Sequence, residues 1–399
     1  MSKVWFDALA QFNDNLIEHS LKRQLHIRSS AHQTAVHMDD AQYVSFSSND
    51  YLGLANHPLL TQAMGLGATT YGVGSGASAL ISGHTQIHAE LERQLARTQE
   101  HAIPNVGACY INTGYMANLA MLSALCSLGK TSIYSDTLNH ASLIDGIRLA
   151  KVQSKAQVWI YGHCHVAELE TLLQQDPNPF KLIVTDSVFS MDGNIAHLPT
   201  LIEIAERYNA LIYIDDAHGF GVFGEHGHGC LEHFGVHSAN IIYMGTLGKA
   251  AGVSGAFLAA DRAWIDLLIQ KARPVIFSTA PSPAVAFTVL KSLEILASEE
   301  GNQRREKLFK LIRYWQERAH FTRWQAIYSP SAIQPLIIGD NAVVVNLSAS
   351  LKEAGFWIPA IRPPTVAVGS ARLRIALSAD HEEAQLQHLL ATLKKLETT

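Results

Sequence analysis

From about residue 60 to residue 290 the chain alternates short apolar runs with segments of helical periodicity. The apolar runs read "ACYINTG", "TSIYSD", "QVWIYGH", "KLIVTDSV", "ALIYIDDA", "NIIYMGTL" and "SGAFLAA". Between them lie "YMANLAMLSALCSLG", "HVAELETLLQQ" and "LPTLIEIAERYN", with apolar positions at helical spacing. Short continuous apolar runs suit strands buried on both faces, and the intervening helices supply the cover. The pattern predicts an α/β domain with a mostly parallel sheet. Polar residues collect just after the runs, where strand carboxyl ends meet ligands in such sheets.

The flanks read differently. Trp5, Leu9, Phe12, Leu16 and Ile17 recur at helical spacing and predict an amphipathic helix that docks on the protein. "QYVSFSSNDYLGLANHP" follows as a short strand and a turn. "AVAFTVLKSLEILASEEGNQRREKLFKLIRYWQER" reads as one long helical stretch. It leads into "IQPLIIG", "AVVVNLSASLKEAG", "WIPAIRP", "ARLRIAL" and a last helix, "HEEAQLQHLLATLKKL". The expected organisation is an N-terminal helix and arm over 1–55, a large domain over 56–290 and a smaller α+β domain over 291–399.

Composition narrows the class. The 399 residues are 48% hydrophobic and 16% charged, which suits a globular protein with sizeable cores. A formal net charge of -5, with both signs dispersed, argues against a nucleic-acid or membrane partner. Cys109, Cys126, Cys164 and Cys230 are scattered without a CxxC pair, so a reducing cytoplasm is the expected setting. No signal peptide and no membrane-spanning run is expected.

Three runs carry candidate chemistry: "SDTLNHASL" (135–143), "YIDDAHGFG" (213–221) and "GTLGKAAG" (245–252). Asp215 and Asp216 end an apolar strand, where buried carboxylates need a partner or a ligand. Lys249 follows another strand among small residues, which leave room for molecules crowding around it. Pyridoxal 5'-phosphate (PLP) accounts for the set, since it takes a lysine amine and an acidic partner for its pyridine nitrogen. Asp215, Lys249 and His140, the last against the ring face, fit these roles. Gly114 opens a strand-to-helix turn, "NTGYMAN", whose amides suit a phosphate, and Thr246 adds a hydroxyl. A P-loop reading of "GTLGKA" fails, because Tyr243 and Ala250 stand where Gly and Ser or Thr are required. The run 224–237 offers His226, His228, Cys230, His233 and His237, but reads as a Gly-rich loop entering a helix, with no metal expected. His163, Cys164 and His165 read as strand-end residues.

The sequence resembles the PLP-dependent α-oxoamine synthases over nearly its whole length. "FSSNDYLGLANHP", "LISGHTQIHAELE", "SDTLNHASLIDGIRLA", "VTDSVFSMDGNIAHL", "DDAHGFGVFGEHGHG", "GTLGKAAGVSGA" and "ARLRIALSADHE" match that family in order. The resemblance implies the aspartate-aminotransferase fold (PLP fold type I) and a homodimer with shared active sites. It implies that Lys249 carries PLP, Asp215 pairs with the pyridine nitrogen and His140 stacks on the ring. His218 and Ser190 would lie near the ring oxygen, and Asp186 stands where some relatives carry Glu. Gly114, Tyr115 and Thr246 would bind phosphate, with Ser278 and Thr279 from a second subunit. Arg374 and Asn49 would hold an amino-acid carboxylate, and Thr365 with Lys22 or Arg23 an acyl chain. Ala367 replaces a proline usual beside Thr365. "GFWIPAIRPPTVAVGSARLRI" and "IQPLIIGDN" look most like members that join L-alanine to a pimeloyl thioester, on coenzyme A or an acyl carrier protein. Other members join glycine to acetyl or succinyl thioesters, and a non-catalytic PLP-binding protein is the alternative from another class.

Overall fold

A computed structural model of the chain describes residues 2–398. Two compact units emerge. One comprises Leu52–Ser190 with Ile195–Arg305; the other comprises Met1–Tyr51, Met191–Asn194 and Glu306–Thr399.

The first unit is built on seven strands. In chain order they are β1 (Val106–Ile111), β2 (Thr131–Asp136), β3 (Gln157–Tyr161), β4 (Phe180–Asp186), β5 (Leu211–Asp215), β6 (Ile241–Thr246) and β7 (Ala256–Asp261). They lie in the order β1-β7-β6-β5-β4-β2-β3. The pairs from β6 to β3 are parallel, while β7 runs antiparallel to both neighbours. All strands except β7 therefore point their carboxyl ends the same way. The apolar runs become strands buried on alternate sides. Ile133, Leu182, Val184, Ile242, Met244 and Leu258 share one core with helices Gly114–Cys126, Ala141–Ser154 and Arg262–Lys271. Tyr134, Ile183, Ile212, Ile214 and Phe257 alternate with them and are also buried.

The second unit holds a three-stranded sheet (Ala35–Met38, Ala41–Ser45, Phe356–Trp357). It also holds an antiparallel sheet ordered Gln325–Ala326, Ile333–Gly339, Ala371–Ala376, Ala360–Ile361. Leu336, Leu373, Ile375, Val344, Leu351, Leu386 and Leu393 are buried within the unit.

Two elements differ from the sequence reading. The long helical stretch is two helices, Pro283–Leu296 and Glu299–Arg318. Gly301 lies so close to the carbonyls of Ile295 and Leu296 that a Cβ there would collide with them, so a glycine is required where the second helix starts. The first helix, Lys3–Glu18, forms as expected, but it buries no residue: Trp5 is 78% exposed and Phe12 60%. It does not dock its apolar face on this chain.

Candidate functional site

Four neighbouring strand ends collect the residues singled out in the sequence. Asp186 ends β4 and Asp215 ends β5, directly opposite in the register and both buried. Burial, reinforced by the adjacent Asp215 charge, pushes the Asp186 carboxyl well above the usual carboxylate range. Asp186 Oδ2 accepts the backbone N–H of His140 at 2.7 Å.

Asp215 is held from two sides. Its Oδ2 accepts from Asn118 Nδ2 at 2.7 Å, and its Oδ1 from the Ala217 N–H at 3.0 Å. Asn118 lies on helix Gly114–Cys126 and is fully buried. It also donates to Ser142 Oγ (2.8 Å) and accepts from Tyr213 O–H (2.7 Å). The amide thus fixes the carboxylate through a fully used set of groups.

His140 caps helix Ala141–Ser154: its Nδ1 accepts the Ser142 N–H and lies 2.7 Å from Ser142 Oγ. Burial depresses the imidazole's affinity for a proton; Asp215 opposes this and Lys249 adds to it. The ring is thus neutral near pH 7 and lies within electrostatic reach of both groups. Lys249 Nζ sits 2.9 Å from His218 Nε2.

The glycines around Lys249 have a different cause from the one expected. A Cβ on Gly245 would overlap the Phe257 ring, and one on Gly252 would fall 2.5 Å from the Leu54 carbonyl carbon. Gly252 also has φ +69° and donates its N–H to the Lys249 carbonyl at 2.8 Å. These positions are small because the chain packs against itself. Only Gly248, beside the lysine, opens onto free space.

The expected phosphate groups are placed unevenly. Thr113 caps the helix that Gly114 begins, accepting from Met116 N–H at 3.1 Å. Two amides in that first turn belong to Gly114 and Tyr115, the place where an anion is favoured. The Tyr115 hydroxyl itself donates to Asp145. Thr246 directs its hydroxyl at the Gly255 carbonyl (3.2 Å), so its proton is committed within the chain. Thr279 is exposed, and its carbonyl accepts from Asn112 Nδ2 at 3.0 Å. Ser278 and Ser190 are half-buried.

A second group of candidates lies in the other unit. Arg374 Nη2 donates to Tyr51 O–H at 3.2 Å, and that hydroxyl donates to Asn49 Oδ1 at 3.1 Å. Tyr51 joins the two expected carboxylate ligands. Separately, Arg23 Nη2 donates to Thr365 Oγ1 at 3.3 Å. Those two residues and Lys22 line a cavity of about 640 Å³ that also exposes Trp357 and Ile361.

Asn118, Ser142, Tyr213 and Tyr51 escaped the sequence reading. Asn118 left a signal: a lone amide in the apolar run "YMANLAMLSALC" must find a partner if buried. The acidic pair also divides. Asp216 points away into the protein, accepting from Ser187 O–H, Cys230 N–H (2.8 Å) and Tyr243 O–H (2.8 Å). Burial pushes its pKa up to about 6. In the histidine-rich run, Glu232 rather than Cys230 approaches His226 and His228, and Cys230 is buried.

An amine, a buried carboxylate, a neutral imidazole and a helix N-terminus form the donor set that PLP requires. Residues 41–393 match the family Aminotransferase class I and II. The chain belongs to that family, in its α-oxoamine synthase branch. It is 50% identical over 378 residues to an 8-amino-7-oxononanoate synthase of Janthinobacterium sp. (strain Marseille), covering 95% of each chain. It is 52% identical over 382 residues to the enzyme of the same name from Cupriavidus metallidurans, covering 94% of this chain and 92% of that one. Among solved structures in the family, a serine palmitoyltransferase variant from S. paucimobilis with a bound PLP–myriocin aldimine superposes with TM-score 0.88 at 25% identity. That match covers 99% of this chain and 98% of the other. The 8-amino-7-oxononanoate synthase of Francisella tularensis gives 0.74 at 29% identity, covering 90% and 99%.

Proposed function

We propose that the chain is a PLP-dependent acyltransferase that condenses L-alanine with a pimeloyl thioester, releasing carbon dioxide and 8-amino-7-oxononanoate, a step of biotin biosynthesis. The observation that carries this reading is the convergence of Lys249, His218, His140 and the Asn118-held Asp215 at neighbouring strand ends. Half-identical relatives that bear the synthase name support the substrates.

Lys249, Asp215 and His140 would hold the cofactor, with the Gly114 and Tyr115 amides at its phosphate. Asp186, Ser190, His218 and Thr246 complete the lining, and Ser278 and Thr279 serve the partner's site. When bound, PLP supplies an electron sink for the pair left as the alanine Cα–H bond breaks. Lys249 Nζ takes that proton, and His218, 2.9 Å away, shares the hydrogen bond that aims the amine. Asp215 presents its carboxyl group, and Asn118 and Ala217 keep its oxygens aimed. A neutral His140 offers a flat face without adding positive charge. Arg374 binds the alanine carboxylate with its planar fork, held in place by Tyr51, while Asn49 steadies Tyr51. Arg23, Lys22 and Thr365 meet the acyl substrate at the 640 Å³ cavity.

The exposed apolar face of helix Lys3–Glu18 supports a homodimer, since Val4, Trp5, Phe6, Leu9 and Phe12 find no cover in one chain. Four cysteines scattered without a CxxC pair suit a cytoplasmic setting. Among the described residues no helix is long and apolar enough to cross a membrane. The basic residues Arg304, Arg305, Lys307 and Lys310 of helix Glu299–Arg318 make their contacts within the chain. Arg305 is buried on the Leu296 carbonyl, Arg304 pairs with Glu300, and Lys307 and Lys310 pair with Glu382 and Glu383.

A substrate panel tests the proposal. The protein with PLP should release thiol from pimeloyl-CoA with L-alanine at least about tenfold faster than with glycine or serine, or from acetyl- or succinyl-CoA. Preference for glycine with a short thioester would overturn the substrate assignment.

A further inference from the structure

At the far edge of the sheet β3 ends at Tyr161, and the chain turns through Gly162, His163 and Cys164 before helix Val166–Gln175. Three side chains meet in this turn. Asp136, the last residue of β2, is buried. Its Oδ1 accepts the Leu138 N–H (2.8 Å) and pairs with His163 Nδ1 (3.0 Å), and its Oδ2 accepts the Cys164 N–H (2.8 Å). The second ring nitrogen, His163 Nε2, lies 3.7 Å from Cys164 Sγ. Phe189 packs edge-on against the imidazole at 4.3 Å and helps fix its plane. Cys164 itself is exposed.

We propose that Cys164 is a nucleophilic thiol activated by His163 and oriented through Asp136, and that it is a modification site for hydroperoxides distinct from the Lys249 site. The order thiol–imidazole–carboxylate is what activation of a sulfur nucleophile requires: a base in reach of S–H, and a third group that fixes the base's tautomer. With Nδ1 bound to the carboxylate, Nε2 is the nitrogen presented to sulfur. Burial would lower the imidazole's affinity for a proton, but the bonds to Asp136 and Cys164 outweigh it and hold its pKa up to about 10. A positive ring beside the sulfur stabilises the anionic nucleophile.

The remaining cysteines have no such arrangement. Cys109, Cys126 and Cys230 are buried, and burial pushes each thiol up, Cys126 to about 11. They serve as internal references.

The step balances with one co-reactant. The His163 ring already holds the proton that the thiol has given up, and the sulfur attacks one peroxide oxygen. An S–O bond forms as the O–O bond breaks, so sulfur loses two electrons and becomes a sulfenic acid. The departing oxygen takes the proton from His163 and leaves as water or an alcohol. A small thiol can then displace water from the sulfenic acid, giving a mixed disulfide on Cys164.

The test uses the full-length reduced protein. Limiting iodoacetamide at pH 7, followed by peptide mapping, reports all four cysteines at once. Cys164 should label at least about tenfold faster than the same residue in the urea-unfolded chain, because activation requires the folded turn. One equivalent of hydrogen peroxide with a sulfenic-acid-trapping dione should place the adduct on Cys164. His163→Gln should slow Cys164 alkylation at least about tenfold, with the Cys109, Cys126 and Cys230 protection unchanged as the sign of a native fold. Cys164→Ser should keep its turnover with alanine. Equal rates in the folded and unfolded wild-type chain would overturn the proposal without recourse to any variant. So would a His163→Gln protein whose Cys164 labels as fast as wild type.

Discussion

Asn118→Ala removes one amide from the centre of the site and touches no substrate. The amide contributes three hydrogen bonds: to Asp215 Oδ2, to Ser142 Oγ and from Tyr213 O–H. The bond to a carboxylate is worth about 1.5–3 kcal/mol, and a buried hydroxyl left unpaired costs about 1–3 kcal/mol. The side chain is fully buried, so water cannot readily substitute. Asp215 keeps only its Ala217 N–H contact and loses its fixed aim. At about 1.4 kcal/mol per tenfold, affinity for PLP should fall roughly 10- to 100-fold. Unfolding in urea should show a further loss of about 2–4 kcal/mol, the unpaired Tyr213 hydroxyl adding to the cavity, while Ser142 Oγ keeps His140 Nδ1. Absorbance titration with PLP and urea unfolding of the cofactor-free protein separate the two effects. A variant that binds PLP within about twofold of wild type would refute the idea that Asn118 orients Asp215.

Three further outcomes follow from particular contacts. His381 is buried with its neutral form satisfied: Nε2 donates to the Ser45 carbonyl (2.9 Å), Nδ1 accepts Ser378 N–H (2.9 Å), and Phe46 stacks on the ring at 4.1 Å. Burial lowers its pKa to about 4. The unfolded chain therefore binds this proton first, so the stabilisation is full above about pH 6.5 and is lost as pH falls toward 4, about 3 kcal/mol in all. Urea unfolding of His381→Gln should be flatter than wild type between pH 7 and 5; parallel curves would contradict the assignment. Gly245→Ala should lower stability by about 1–3 kcal/mol by driving a methyl into Phe257, and an unchanged urea midpoint would contradict the packing. Arg374→Lys should raise KM for alanine at least about tenfold while PLP binding holds, because the planar fork is lost; an unchanged KM would remove Arg374 from the substrate.

The seven strands were legible because each is a compact apolar run, buried in the middle of the sheet and partly exposed at the edge strand β3, a pattern that survives in one dimension. The gathering of Asp215, Lys249 and His140 near their carboxyl ends was legible too, since they are polar residues just where those runs stop. What the sequence hid was partnership. Asn118 and Tyr213 look like ordinary helix and strand residues until the fold sets them 2.7 Å apart. Asp215 and Asp216 are adjacent in sequence, yet alternation along the strand end sends one to Asn118 and the other to Tyr243. Local spacing also misled. Helical periodicity runs unbroken through Ala297 and Ser298, but the helix breaks there and Gly301 meets the Leu296 and Ile295 carbonyls too closely for any side chain. The glycines beside Lys249 suggested room for ligands, whereas Gly245 and Gly252 are required by Phe257 and Leu54.

Borohydride trapping reads directly whether Lys249 is the residue that holds the cofactor. The protein is mixed with PLP, reduced with borohydride, digested and mapped by mass. A single pyridoxyl-modified peptide is expected, the one containing Lys249, with labelling lost in Lys249→Ala. A pyridoxyl group on another lysine, or none on the folded protein, would contradict that role for Lys249.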